Sequence, residues 1–377
     1  MAVDNETPRV DNVKTKKNKR KFSTYQRHII YNISSFNLKK RKENKYNMKL
    51  KKEWTEKGFI DEPVSEATDL KTEIRRMCKE KNAVIMAHYY CNGEIQDVAD
   101  FIGDSLALAR KAAETDADII VMCGVHFMAE TCKILSPKKL VLAPDLNAGC
   151  SLADSCKAED LKKYKEEHPG YKVISYVNTT AAVKALTDVV VTSGNAKEIV
   201  DTFPQDEKII FGPDYNLGSY INNITGRQML LWNGGCHVHE RFSVAEILKL
   251  KEQYPNAKVL AHPECKGDVL AVADVVGSTA VLLKYAIENP TEEYIVVTEA
   301  GILHEMQRKC KDTKFYPVPP AQTETGKVCA CNECDYMKMN TMLKLYNTLK
   351  YEWPSVDVDK DVATEAVKSI ERMLELS

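Results

Sequence analysis

Three cysteines of this 377-residue chain recur in loop-like settings: Cys150 in NAGCSLADSC, Cys236 in NGGCHVH and Cys334 in VCACNECDYM. Three thiolates that meet can hold three corners of a [4Fe-4S] cluster and leave the fourth iron open, which is what Lewis-acid catalysis requires. Thiolates also suit zinc, and a buried cysteine is often only a small hydrophobic side chain. Because the three form a matched set, the pattern favours metal ligands.

The other nine cysteines give weaker signals. Cys329 and Cys331 lie beside Cys334 in a C-x-C-x-x-C cluster, but the chain lacks the second pair that a zinc ribbon requires. The remaining seven are expected to be structural or incidental: Cys78, Cys91, Cys123, Cys132, Cys156, Cys265 and Cys310. The N-terminal residues contain no apolar stretch of the secretory type, so mostly reduced thiols are expected.

Polar side chains follow three short apolar runs at matched positions. The runs are AVIMAHYY (83–90), KVISYVN (172–178) and KVLAHPE (258–264). They end in three pairs of residues: His88 and Tyr90, Tyr176 and Asn178, His262 and Glu264. A hydroxyl residue lies 17 positions after the first member of each pair: Ser105, Ser193 and Thr279. This repeated spacing indicates three duplicated units.

Each unit alternates apolar β-rich runs with helical stretches, which is typical of parallel α/β sheets. We predict an α/β fold of three homologous small αβα domains with parallel sheets. If these pack around a pseudo-threefold axis, the strand-end residues face one central cavity, because ligands bind beyond the carboxyl ends of parallel strands. The expected segments are a basic extension (1–50), a helical segment (51–82), α/β domains at 83–165, 166–250 and 251–345, and a C-terminal helical segment (346–377).

The near-neutral net charge of -1 conceals an uneven distribution. Residues 1–50 carry 14 Lys and Arg against 4 Asp and Glu, while the other 327 residues carry 39 basic and 50 acidic groups. The acidic part argues against a nucleic-acid enzyme. The chain lacks the run of about 18 apolar residues that a transmembrane helix needs. We therefore expect a cytoplasmic protein that binds neither nucleic acid nor membrane.

The basic extension has three interpretations. It can bind nucleic acid or an anionic surface. It can be a transit peptide, although Asp4, Glu6 and Asp11 are unusual in such peptides. It can also be an upstream extension outside the fold, with Met48 as the natural start, and this interpretation is favoured.

Residues from about 70 to 345 resemble the quinolinate synthase (NadA) family. The resemblance rests on many motifs in one order: AHYYCNGEIQDVADFIGDSLALAR, CGVHFMAETCKILSP, APDLNAGCSLADSC, SYVNTTAAVKA, VVTSGNA, FGPDYNLG, WNGGCHVHERF, AHPEC, DVVGSTA, VTEAGILHEM and CNECDYMKMNT. The family implies three α/β domains around one [4Fe-4S] cluster, held by one cysteine from each domain. By motif the ligands are Cys150, Cys236 and Cys334. Asp335 follows the last ligand where many relatives have Pro.

The resemblance implies a reaction that condenses iminoaspartate with dihydroxyacetone phosphate to quinolinate, phosphate and water in NAD biosynthesis. It also implies a functional link to the L-aspartate-oxidising enzyme that supplies iminoaspartate. The residues expected to bind these anionic substrates are His88, Ser105, Tyr176, Asn178, Ser193, His262, Ser278 and Thr279. Taken singly, each Ser or Thr would be interpreted as a helix cap and each His as a core residue.

Dehydration, tautomerisation and phosphate loss need groups that carry protons. Tyr90, His239 and Glu264 are the expected catalytic residues, because imidazole and a desolvated carboxylate transfer protons near neutral pH. Two other classes of protein remain open. An aconitase-type hydro-lyase shares the three cysteine ligands and the open iron. An Fe–S redox sensor or electron carrier would normally use four thiolates.

Overall fold

Three parallel sheets of four strands each form the framework of the chain, and all three have the strand order 2-1-3-4. The computed structural model describes residues 50–290, 293–321 and 332–377. The expectations for residues 1–49, and for Cys329 and Cys331, lie outside the described residues. The sheets belong to one unit, formed by residues 53–377. The predicted α/β class with three αβα units is therefore confirmed.

Two helices precede the first sheet, and four more surround its strands. The elements are α1 (Lys52–Lys57), α2 (Leu70–Lys81), β1 (Ala83–His88), α3 (Gly93–Val98), β2 (Phe101–Gly103), α4 (Ser105–Glu114), β3 (Ile119–Cys123), α5 (His126–Leu135), β4 (Leu140–Leu142) and α6 (Ser151–Ser155). Every residue of β3 is buried. Such continuous burial is typical of parallel strands that are covered on both faces.

The second sheet repeats this arrangement. Its elements are α7 (Ala158–Glu167), β5 (Lys172–Tyr176), α8 (Ala181–Lys184), β6 (Val189–Val191), α9 (Ala196–Asp201), β7 (Ile209–Phe211), α10 (Tyr215–Thr225), β8 (Leu230–Leu231) and the 3-10 helix η1 (His239–Arg241). The β-branched strands β6 and β7 are fully buried. Asp214 caps α10 by accepting a hydrogen bond from Leu217 N, and such a cap satisfies a free backbone donor.

The third sheet and the C-terminal helices complete the described structure. Their elements are α11 (Val244–Gln253), β9 (Lys258–Ala261), α12 (Gly267–Ala271), β10 (Val275–Val276), α13 (Thr279–Glu288), β11 (Glu293–Val297), α14 (Ile302–Lys309), β12 (Lys314–Pro317), α15 (Asp335–Lys338), α16 (Met342–Tyr351) and α17 (Lys360–Glu375). Helix α17 packs on β6 and α8. Its buried Ala366, Ile370 and Met373 recur at helical spacing on one face.

The threefold repeat is visible in individual hydrogen bonds. In each sheet a carboxylate that precedes the second strand accepts the backbone N–H of a residue in the first strand, 15 positions earlier. The pairs are Asp100 with Ile85 N (2.8 Å), Asp188 with Val173 N (2.8 Å) and Asp274 with Val259 N (2.7 Å). These bonds tie the first and second strands together near the amino end of each second strand. The carboxyl ends of the strands lie at the other end of each sheet, where ligands bind in parallel α/β folds.

Sequence patterns predicted nine of the twelve described strands, namely the first strand of each sheet and those in the runs ADIIVMCG, KLVLAP, DVVVTS, KIIFGP, MLLWNG and EYIVVTEAG. The first strand of each sheet begins where its run was expected, at residues 83, 172 and 258. Strands β2, β10 and β12 were not predicted, and β12 contains a proline. The domain boundaries proposed from the sequence stay a prediction. No helix among the described residues combines the length and apolar character needed to cross a lipid bilayer.

Candidate functional site

One cavity of about 710 Å³ collects residues from the carboxyl ends of all three sheets. This volume includes solvent-open space at the mouth of the cavity. The cavity is lined by every predicted site residue except Ser278, namely His88, Tyr90, Ser105, Cys150, Tyr176, Asn178, Ser193, Cys236, His239, His262, Glu264, Thr279 and Cys334. The shared strand order explains this convergence, because the first strand lies at the point where the order reverses.

The three cysteines follow the fourth strand of their respective sheets. Cys150 directly precedes α6, Cys334 directly precedes α15, and Cys236 lies shortly before η1. Burial raises the pKa of the Cys150 thiol to about 12 and that of Cys334 to about 11, and it raises the pKa of Cys236 well above its ordinary value. These thiols are neutral unless a cation binds and displaces their protons.

Buried carboxylates hold two of these cysteines by the backbone. Asp214 Oδ2 accepts a hydrogen bond from Cys236 N at 3.1 Å, and Glu299 Oε1 accepts one from Cys334 N at 3.0 Å. Asp214 and Glu299 follow the third strands of the second and third sheets. Lys338 Nζ lies 3.0 Å from Glu299 and donates to Tyr90 O at 2.8 Å. The second and third sheets therefore support their cysteine loops in the same way.

Glu264 lies at the centre of a buried polar network. Its Oε1 accepts a hydrogen bond from Tyr176 OH at 2.5 Å, and its Oε2 lies 2.9 Å from His239 Nδ1. Burial opposes ionisation of Glu264, but His239 and His262 face the carboxyl and Tyr176 donates to it. The pKa of Glu264 is consequently held below its ordinary value. Glu264 is an anion at neutral pH.

Thr298 connects two of the predicted catalytic residues and was not predicted from the sequence. Its Oγ1 lies 2.8 Å from Tyr90 OH and 2.9 Å from His239 Nε2. Tyr90 OH also lies 2.9 Å from Thr279 Oγ1. A set of hydrogen bonds therefore runs from Thr279 through Tyr90 and Thr298 to His239, whose Nδ1 lies 2.9 Å from Glu264 Oε2. Burial raises the pKa of Tyr90 well above its ordinary value, so Tyr90 keeps its proton.

His88 and His262 occupy equivalent positions and share one hydrogen-bond pattern. Each accepts a backbone N–H from the residue two positions later, Tyr90 N on His88 Nδ1 (3.2 Å) and Glu264 N on His262 Nδ1 (3.3 Å). Burial lowers the pKa of His88 to about 4 and that of His262 to about 3. Both rings are neutral near pH 7, so the assigned acceptor role of Nδ1 leaves Nε2 as the donor.

The hydroxyl residues divide into two kinds of position. Asp104 and Ser278 are the capping residues of α4 and α13, whereas Ser105 and Thr279 are the first residues of those helices. Ser193 Oγ lies 3.1 Å from His262 Nε2. Helix N-termini present free N–H groups to anions, and Ser105 and Thr279 line the cavity there. Ser278 is buried as a cap, and its substrate-binding role stays a prediction.

Residues that the sequence analysis missed also line or support the cavity. Glu299, Tyr336 and His237 line it, and Thr298 and Asp214 support residues in its wall. Thr298, Glu299 and Asp214 come after apolar third strands, so the strand-end rule applied to every strand would have found them. A metal ion could also fit between Cys236, His239 and Glu264, whose ligand atoms lie within 4.8 Å of one another.

Comparison with known proteins gives one consistent result. A family profile described as "NadA: Quinolinate synthetase A protein" matches residues 72–375. Quinolinate synthase of Chloroherpeton thalassium is 52% identical over 309 residues, which cover 82% of this chain and 95% of that protein. The Nostoc punctiforme enzyme is 52% identical and the Thermosynechococcus vestitus enzyme 53% identical, over 82% of this chain and 94% and 96% of theirs. The chain therefore belongs to the quinolinate synthase family.

Proposed function

We propose that this protein condenses iminoaspartate with dihydroxyacetone phosphate to give quinolinate, phosphate and water, as a step of NAD biosynthesis. The observation that carries this proposal is the cavity itself. Three cysteine thiols, two neutral histidines and the Tyr176–Glu264–His239 network converge there from three sheets. The names of the relatives support the same reaction.

The cofactor proposed for this cavity is a [4Fe-4S] cluster held by Cys150, Cys236 and Cys334. The donor set fits such a cluster, because three thiols line one cavity and have no disulfide partner among the described residues. When bound, the cluster supplies an open iron that acts as a Lewis acid on a substrate oxygen. The competing arrangement is a single ion on Cys236, His239 and Glu264.

Substrate binding is assigned to neutral donors. His88 presents an Nε2–H, whereas Nε2 of His262 lies 3.1 Å from Ser193 Oγ, and both rings and Ser193 line the cavity. Asn178, Ser105 and Thr279 supply amide and hydroxyl groups beside the N-termini of α4 and α13. These donors suit the carboxylates of iminoaspartate and the phosphate of the triose. Tyr176 lines the same cavity and orients Glu264 by donating a hydrogen bond to its Oε1.

Proton transfer is assigned to Glu264, His239 and Tyr90. Glu264 is ionised and buried, but its lowered pKa makes it a weak base on its own. It is therefore proposed to act together with His239, whose Nδ1 lies 2.9 Å from its Oε2. His239 lies between Glu264 and Thr298 and can pass a proton in either direction. Tyr90 retains its proton and can donate a hydrogen bond to a developing oxyanion.

Anaerobic reconstitution with iron and sulfide tests both the cofactor and the reaction. We expect four irons per chain, as the cluster formula requires, a reducible EPR-active centre, and quinolinate from the two substrates. Cys150→Ala, Cys236→Ala and Cys334→Ala should each lose the centre, while Cys156→Ala should keep it. Cys156 is a matched control, because it is buried but does not line the cavity.

The alternatives predict different outcomes of the same experiment. A single-ion site on Cys236, His239 and Glu264 would survive Cys334→Ala with one metal per chain. A redox sensor or a hydro-lyase of another specificity would contain the cluster and form no quinolinate. Either result contradicts the proposal.

The compartment and the metabolic link are proposed on chemical grounds. All ten described cysteines are free thiols, which suits the reducing cytoplasm. Iminoaspartate arises by oxidation of L-aspartate at its amine carbon. We therefore propose that an L-aspartate-oxidising enzyme supplies this protein.

A further inference from the structure

Gln96 and Lys184 occupy equivalent positions on α3 and α8, the helices that follow the first strands of the first and second sheets. Each lies six residues after a strand-end residue of the cavity, Gln96 after Tyr90 and Lys184 after Asn178. Both side chains are buried, with Gln96 1% and Lys184 0% exposed. In the third unit the corresponding position, six residues after Glu264 on α12, is the apolar Leu270.

Both side chains bracket the strand-end residue with hydrogen bonds. Gln96 Nε2 donates to the carbonyls on either side of Tyr90, to Tyr89 O at 2.8 Å and Cys91 O at 2.9 Å. Lys184 Nζ donates in the same way around Asn178, to Val177 O at 2.8 Å and to Thr179 O. One donor thus fixes the backbone of the residue that faces the cavity.

Lys184 differs from Gln96 in its charge. Among the described residues no carboxylate oxygen pairs with its ammonium. Glu130 is the acid that influences it, and that carboxylate accepts a hydrogen bond from Ala181 N at 3.0 Å. Burial lowers the pKa of Lys184 to about 8, so most molecules carry the charge at pH 7.

The side chains that line the cavity include acidic groups and lack a permanently cationic one among the described residues. No Lys or Arg occurs among the described residues that line the cavity, although Glu264 and Glu299 do. Lys184 Nζ lies directly behind this wall, because its acceptor Val177 lines the cavity and Phe127, whose ring centre is 5.2 Å away, does too. Lys338, the other lysine close to the site, is paired with Glu299. A buried charge without a counterion is costly and therefore indicates function.

We propose that Lys184 is a positioning residue that holds Asn178 and supplies, from behind the wall, the positive charge that draws anionic substrates into the cavity. Gln96 performs only the positioning part of this task, for Tyr90. The inference rests on the proposed function, because both substrates of that reaction are anions. Because the buried wall has a low dielectric constant, the charge of Lys184 acts on anions in the cavity with little screening by water or salt.

Lys184→Gln separates the positioning of Asn178 from the effect of the charge, because glutamine already holds the equivalent position in the first unit, as Gln96. It keeps N–H donors for both carbonyls and removes the charge. We expect its KM for both substrates and its Kd for the non-reactive dicarboxylate succinate to rise about tenfold, with a smaller change in kcat. Lys184→Met, which loses charge and donors, should also lower kcat. Gln96→Met should lower kcat with little effect on the succinate Kd.

Two further variants keep the test decisive. Lys165→Gln is the control, because Lys165 belongs to the same unit and donates to Leu186 O but does not line the cavity; its succinate Kd should stay at the wild-type value. Glu130→Gln removes the opposing charge and should tighten succinate binding, which gives an answer even if Lys184→Gln fails to fold. Unchanged succinate Kd in both Lys184→Gln and Glu130→Gln would overturn the inference. Absence of quinolinate from the loaded wild type would instead overturn the proposed function.

Discussion

At the scale of single residues, the three units share one frame and differ in the side chains that it carries. His88 and His262 both use Nδ1 to accept the backbone N–H of the residue two positions later. That later residue is Tyr90 in the first unit, Asn178 in the second and Glu264 in the third. The same position therefore carries a phenol, an amide and a carboxyl group in the three units.

Thr298 provides the sharpest test at this scale. Thr298→Val keeps the shape of the side chain but removes the hydroxyl that lies between Tyr90 and His239. A buried polar group that loses its partner costs about 1–3 kcal/mol. We expect kcat to fall about 10- to 100-fold, measured by quinolinate formation at saturating substrates.

Thr298→Ser separates this role from a packing role. Serine restores the hydroxyl and removes only a methyl group, so its kcat should lie close to the wild-type value, while both variants should bind the same amount of iron. If Thr298→Val and Thr298→Ser lost activity equally, Thr298 would act by packing alone.

At the scale of elements, the sequence predicted the strands that carry the chemistry and missed residues that act across large separations. Periodicity and the strand-end rule located His88, Tyr176 and His262, because these follow buried apolar strands. The partner of Cys334 N is Glu299, 35 positions away, and that of Tyr90 O is Lys338, 248 positions away. No local pattern encodes such contacts. Asp104 was missed as the cap of α4, because the neighbouring Ser105 offered an equal signal, whereas the cap interpretation given for a single Ser holds for Ser278.

The support of the cysteine loops gives a prediction about elements. Glu299→Ala removes the acceptor of Cys334 N–H, so the loop that begins α15 should lose its fixed orientation. Loss of groups that orient metal ligands typically costs 10–100-fold in metal affinity. We expect iron release to a chelator to be about 10- to 100-fold faster than in the wild type.

Two conservative variants serve as controls for the effect of Glu299→Ala on iron release. Glu299→Gln retains an acceptor oxygen and should release iron at a rate near that of the wild type. Asp274→Asn alters a carboxylate that accepts a strand N–H at the opposite end of the third sheet, and it should leave the rate unchanged. Equal rates in Glu299→Ala and the wild type would show that Glu299 does not hold the loop.

At the scale of the whole molecule, two buried neutral histidines link stability to pH. The pKa of each is about 6.5 in an unfolded chain, but about 4 for His88 and about 3 for His262 in the fold. As the pH falls below about 6.5, the unfolded state takes up protons that the folded state refuses. Their contribution to stability is present above that pH and is lost as the pH falls towards 4.

Denaturation of the metal-free protein measures this loss. Between pH 7 and pH 5 we expect each histidine to lower the free energy of unfolding by about 2 kcal/mol. His88→Gln and His262→Gln should each reduce the pH dependence over this interval. Glu264 does not contribute there, because its lowered pKa keeps it ionised in the fold and an unfolded glutamate titrates near 4.3. An equal pH dependence in the wild type and in both variants would contradict the neutral assignment.

The whole molecule makes one asymmetric cavity from three similar units. The sequence predicted this convergence from the repeat and the strand-end rule, and the cavity lining bears it out. The cavity volume and the network around Thr298 could not be predicted, since both depend on how loops from distant parts of the chain pack. The proposed chemistry follows from that asymmetry, because a symmetric site could not combine a base, a proton donor and a phosphate-binding face.

The central claim is that this cavity joins the carbons of a triose phosphate to those of iminoaspartate. The most direct measurement supplies ¹³C-labelled dihydroxyacetone phosphate and iminoaspartate to anaerobically reconstituted protein and follows the label by mass spectrometry. We predict that the label appears in the pyridine ring of quinolinate with release of phosphate, and that Glu264→Gln, with its metal content intact, forms far less product. Unlabelled product, or no quinolinate from fully loaded wild-type protein, would contradict the account.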